Sequence, residues 1–289
     1  MLAGAAAYGV WGLFPLYFRL LEPTSSIEIL CHRIIWSFAV LAAVLAVLGD
    51  RGWLRELFSD LRRLARLALA AMLIAVNWVV WVFAVTHDRA VEGALGYFIC
   101  PLATVALGVG VLRERLRRPQ WLALALGTVA VVMLTVAYGH PPWLALTLAG
   151  TFSAYGFCKK HIDIGATRSL AGETALLTPL AILTMAFLLA RGEAEFGQGG
   201  VRMSVLLAGT GIVTVVPLIL FATAATRIPL SALGLLQYLT PVTQFVLAVF
   251  VFDEVMSPEQ WFGFALVWAA LALLSIDAVV GLRRPPAPI

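Results

Sequence analysis

Charge is what this chain has least of. Only 12% of its 289 residues are Asp, Glu, Lys or Arg, against 62% hydrophobic; soluble chains carry about 25% charged residues. Too little charge is available to cover a water-facing surface, which excludes a soluble globular protein. Long polar stretches are missing too: the longest, Asp50 to Arg66, is too short for a separate domain. Cysteine is scarce. Cys31, Cys100 and Cys158 all fall in apolar runs without metal-ligand spacing, so no disulfide framework is expected and they read as small buried hydrophobes. His32, His87, His140 and His161 are scattered over different segments, and no metal cluster or cofactor site is expected from them. There is no P-loop and no nucleophile–base pair, which argues against an ATP-driven pump and against an enzyme.

What is there is apolar sequence almost end to end, with a mean hydropathy of +0.95. A spanning helix takes about 20 residues. Ten spans are expected at roughly 2–21, 27–48, 67–86, 92–112, 121–138, 143–158, 173–190, 203–225, 231–252 and 260–280. The apolar N-terminus, Met1 to Leu21, lacks a basic leader region and reads as a first span rather than a cleaved signal. The net charge of +4 is a topology signal here and not a sign of nucleic-acid binding. With both termini cytoplasmic, the basic residues concentrate in 50–66, 113–120, 159–172, 226–230 and the tail. The opposite side then holds only Arg19, Arg89, Arg191 and Arg202, with Arg33 left inside a span.

The chain also repeats itself. Pro101, Glu114, Gln120 and Trp121 recur at identical spacing as Pro241, Glu254, Gln260 and Trp261, and Arg89 with Ala94-Leu95-Gly96 is echoed by Arg227 with Ala232-Leu233-Gly234. Weaker echoes pair Tyr8-Gly9 with Tyr155-Gly156, and Glu28 with Glu173. The copies lie an odd number of spans apart, so they are inverted. The fold expected is all-α and integral to the membrane: ten transmembrane helices as two inverted five-helix repeats, 1–139 and 140–289.

Specific residues carry a family resemblance. They are the stretch from Tyr8 through Trp11, Phe14 and Pro15 to Tyr17, then Glu28, Cys31, His32 and Arg33 with Trp36-Ser37. Asn77-Trp78, Leu95-Gly96-Tyr97-Phe98-Ile99 and Pro101-Leu102 continue it, as do Pro229-Leu230-Ser231, Leu233-Gly234-Leu235-Leu236-Gln237-Tyr238 and Pro241. Over essentially its whole length the chain resembles the EamA-like drug/metabolite transporter superfamily, and its RarD branch of chloramphenicol-sensitivity proteins more closely. The resemblance implies a ten-helix permease of the inner (plasma) membrane and leaves the substrate open.

Candidate site residues follow from polar groups that hydropathy does not explain. Glu28, His32 and Trp36 share a helical stripe with Arg33 about 100° away. Intramembrane charges cost roughly 2.5–3.5 kcal/mol each at mid-bilayer, so such groups face a cavity or each other. Arg33 would hold an anionic or carbonyl group while His32 and Glu28 carry a coupling proton. Alternatively, Arg33 snorkels to the interface or pairs with Glu28 to fix packing. Asn77 and Trp78 form a slot for a flat solute, or a helix–helix contact. Tyr97, Gln237, Tyr238 and Gln244 complete the expected solute site, with Pro101 and Pro241 as helix breaks or hinges. Glu114 and Glu254 read as helix-end structure.

The function expected is secondary transport of a small organic metabolite or drug by alternating access, with proton coupling through His32 and Glu28. A channel or non-transporting membrane scaffold is the alternative, and an intramembrane enzyme the less favoured one. The expected partners are a small-molecule solute and the lipid bilayer, with no nucleic acid, and a homodimer is compatible with the sequence.

Overall fold

The computed structural model describes residues 2–50, 52–58, 60–112, 116–160, 162, 164–225 and 236–282. Within them the regular structure is all α-helix: α1 (Leu2–Gly12), α2 (Phe14–Arg19), α3 (Ser26–Val47), α4 (Trp53–Phe58), α5 (Leu61–Thr86), α6 (Ala90–Leu112), α7 (Arg118–Tyr138), α8 (Trp143–Lys160), α9 (Ala166–Arg191), α10 (Gly200–Ala225), α11 (Leu239–Phe250) and α12 (Pro258–Leu282). In lipid no water is present to satisfy backbone amides, and a helix satisfies them within the segment. Seven helices (α3, α5, α6, α7, α9, α10 and α12) are long and apolar enough to cross a membrane. Their outward faces are apolar rather than charged: Val132 and Val136 on α7 and Leu180, Leu183 and Phe187 on α9 are all exposed.

Two expected spans are interrupted. The first breaks at Leu13, between α1 and α2, because Pro15 has no N–H to offer the carbonyl of Trp11. The neighbouring helix supplies the missing donor: Gln244 Nε2 bonds Trp11 O at 3.1 Å, and Thr240 Oγ1 bonds Tyr8 O at 2.8 Å. The ninth breaks at Tyr238, just before α11 and Pro241. Pro101, by contrast, sits inside an uninterrupted α6. The repeat elements Glu114, Arg227 and Ala232-Leu233-Gly234 lie outside the described residues. The expected connector 50–66 contains the short α4, and α5 starts early at Leu61 because the Asp60 side chain accepts from Arg62 N at 2.9 Å.

The main helix neighbours are α6 with α8, α3 with α9 and α10, α5 with α8 and α9, α1 with α10 and α11, α6 with α11, and α7 with α12. Glycine sets the closest approaches. A Cβ at Gly96 of α6 would lie 2.7 Å from Leu148 Cβ on α8, and one at Gly211 of α10 would lie 2.6 Å from both Cβ and O of Trp36 on α3.

Candidate functional site

A cavity of about 390 Å³ lies between the helices, within the range of small-molecule sites. Its wall is aromatic. Tyr8, Trp11 and Phe14 come from α1 and α2, Trp78 and Trp81 from α5, Tyr97 from α6, Phe152 and Tyr155 from α8, and Phe221 from α10. Leu41, Lys159 and Thr167 place the cavity's reach toward the end of the bundle where α3, α8 and α10 finish and α5, α9 and α11 begin.

Arg33 is the cation of the wall. It is 5% exposed and donates from Nε to Thr214 Oγ1 at 2.9 Å. Its guanidinium carbon lies 4.1 Å from the centroid of the Trp78 ring, with Phe18 and Phe14 beyond at 5.4 and 5.6 Å. Lys159, by contrast, is neutralised: its Nζ lies 2.6 Å from Glu173 Oε1 and also bonds Ser169 Oγ. Tyr155 donates its hydroxyl to Glu173 Oε2 at 3.0 Å. Asn77 is spent on structure as well as surface: its amide bonds Leu148 O and Thr151 Oγ1, both at 3.1 Å, and its oxygen accepts from Tyr97 OH at 3.1 Å. Gln244 donates to Trp11 O, but its buried Oε1 has no partner among the described residues.

The opposite end of the bundle is closed by carboxylates bound to backbone. Glu28, fully buried, accepts from Glu195 N at 3.0 Å and Phe196 N at 2.9 Å, ahead of α10. Glu92 accepts from Leu144 N at 3.0 Å and pairs with Arg89. Glu254 accepts from Ala90 N at 2.7 Å and Val91 N at 2.9 Å, at the start of α6. Burial raises the Glu254 carboxyl above its ordinary value, against the pull of those two N–H groups and of Arg19.

Of the residues expected from sequence, Arg33, Asn77, Trp78, Tyr97, Gln237, Tyr238 and Gln244 line the cavity, as do Pro101 and Pro241. Glu28, His32 and Trp36 are not among its lining residues. The 100° turn that separates Arg33 from their stripe sends them toward α10 and the connector before it. There the His32 ring lies 4.6 Å from that of Phe196, Trp36 Nε1 donates to His32 Nδ1 at 3.2 Å, and His32 Nε2 stands 3.8 Å from Glu28 Oε1. Sequence reasoning missed Tyr8, Trp11, Phe152, Tyr155, Lys159 and Thr214 as wall residues. The echo of Tyr8-Gly9 in Tyr155-Gly156 is the signal that pointed to two of them, since both tyrosines line the cavity. Among the described residues no group of three His, Cys, Asp or Glu side chains gathers as a metal site would require.

An all-helical bundle with apolar outer faces and an aromatic-walled internal cavity defines a multi-pass membrane protein. The chain belongs to the EamA-like transporter family, whose model matches residues 1–136 and again 142–276. It is a membrane transporter. It is 50% identical over 284 residues to the protein RarD of Streptomyces exfoliatus, covering 98% of this chain and 90% of that one. An uncharacterized transporter of Pseudomonas aeruginosa is 40% identical over 285 residues, covering 99% and 96%. A protein of known crystal structure, 18% identical, shares the fold with a TM-score of 0.63 over 98% of both chains.

Proposed function

We propose that the protein is a secondary transporter that moves a small organic solute across the inner (plasma) membrane by alternating access. Its two inverted five-helix halves would be 1–139 and 140–289, with both termini cytoplasmic. The observation that carries this reading is the cavity, which draws its wall from both halves and reaches toward one end of the bundle, while buried carboxylates tie the halves together at the other. The helix neighbours support the exchange of halves. Pairing α6 with α8 corresponds to α11 with α1, α5 with α8 to α10 with α1, and α3 with α10 to α9 with α5, while α3–α9, α6–α11 and α7–α12 map onto themselves. A channel needs a path through both ends, and at the carboxylate-capped end the described residues tie 1–139 to 140–289. On the proposed topology the cavity reaches toward the cytoplasmic side.

Reconstitution into liposomes tests the reading. Solute flux that saturates and is accelerated by the same solute on the far side is expected; ohmic, unsaturable flux would sink it.

A further inference from the structure

We infer that the solute is an organic monoanion with an aromatic or apolar body, taken with its acid group on Arg33. The inference rests on the cavity being the transport site and deepens that reading.

Arg33 is more than nine-tenths buried, yet among the described residues no carboxylate forms an ion pair with it. Among the described residues its partners are one hydroxyl and the rings of Trp78, Phe18 and Phe14. A buried guanidinium carries five N–H donors in a rigid fork suited to a carboxylate, and leaving it unmatched in a low-dielectric site is costly. Lys159 does not change the balance, because Glu173 cancels it at 2.6 Å. No Asp or Glu occurs among the described wall residues. The described wall residues therefore carry one net positive charge, which one anionic group balances.

The rest of the wall says what the anion is attached to. Aromatic rings from both halves surround the space, which favours a flat apolar body over a hydrated sugar or inorganic ion. Gln244 Oε1, buried and without a donor among the described residues, would accept an N–H or O–H from the same solute.

The test uses three probes with one ring and three charges: phenylacetate, its neutral amide phenylacetamide, and the cation phenethylamine. With the purified full-length protein, phenylacetate is expected to raise the melting temperature and to drive counterflow in liposomes. The amide and the amine should need roughly tenfold higher concentrations or more, because each leaves a charged hydrogen-bonding group unmatched. Arg33→Gln should bring phenylacetate down to the level of the amide, while Arg33→Lys retains the preference for the anion. Equal or reversed ranking in the wild type overturns the inference even if Arg33→Gln fails to fold, and so does stabilisation by none of the three. Selective binding of phenylacetate without counterflow would leave the anion assignment standing and remove transport. Saturable counterflow with no preference for the anion would do the reverse.

Discussion

At the scale of single residues, Glu28 shows how an acidic side chain can be buried in a membrane protein without lining the cavity. Both carboxylate oxygens are occupied by backbone N–H groups of the connector before α10. Glu28→Gln keeps one acceptor and turns the other into a donor facing an N–H. It is expected to cost roughly 1.5–3 kcal/mol, read as a lower melting temperature. The same variant separates a structural strap from a proton carrier. The geometry favours the strap, for which the pH profile of transport stays that of the wild type; a flattened profile in Glu28→Gln or in His32→Ala would restore the proton role. Arg33 and Asn77 were legible in the sequence because a polar group inside an apolar run has to face something. What faced Glu28 was not legible, since Glu195 and Phe196 reach it across a distance in sequence that no local pattern encodes. The aromatic wall was hidden for the opposite reason: Trp11 and Phe152 look like any other apolar residue of a span.

At the scale of helices, the repeated glutamine has a plain structural task. Gln120 Oε1 accepts from Arg117 N at 3.0 Å at the start of α7, and Gln260 Oε1 accepts from Ser257 N at 2.8 Å at the start of α12. The repeat thus marks two equivalent helix beginnings and not two reactive sites. Helix positions were readable from hydropathy and Pro241 marked the turn that breaks at Tyr238, but the break at Leu13 was not expected. The α1 carbonyls around that break are satisfied by α11 side chains, with Thr240 donating to Tyr8 O and Gln244 to Trp11 O. Close packing is testable here as well. Gly211→Ala places a methyl against the Trp36 backbone, so α3 and α10 must separate; a loss of about 1–3 kcal/mol is expected in thermal melts. Gly110→Ala meets nothing within 4 Å and should be neutral or stabilising, since alanine favours helix over glycine by about 1 kcal/mol.

At the scale of the whole molecule, the two ends are tied differently. Toward the cavity side, Asp50–Arg168 and Arg117–Asp277 are ion pairs in which the arginine is 42% or 46% exposed, a type worth about 0–1 kcal/mol. At the other end Glu28, Glu92 and Glu254 each cross between 1–139 and 140–289 to bind backbone, and a hydrogen bond of this kind is worth about 0.5–1.5 kcal/mol even where the carboxyl is neutral. The end remote from the cavity is the one more firmly shut. Because burial raises the Glu254 carboxyl above 4.5, the folded state holds its proton more tightly than the unfolded chain does. The stability Glu254 contributes is therefore present at low pH and lost as pH rises through that raised value. Glu254→Gln should lack this slope, so its melting temperature should gain on the wild type between about pH 4.5 and neutrality; parallel curves would contradict it.

The guanidinium resting on the Trp78 ring has an optical consequence. An indole 4.1 Å from a cation emits in that cation's field. An acid group that draws Arg33 away would alter the field, and a chain in which Trp78 is the sole tryptophan would then signal occupancy by its own fluorescence, with no label attached.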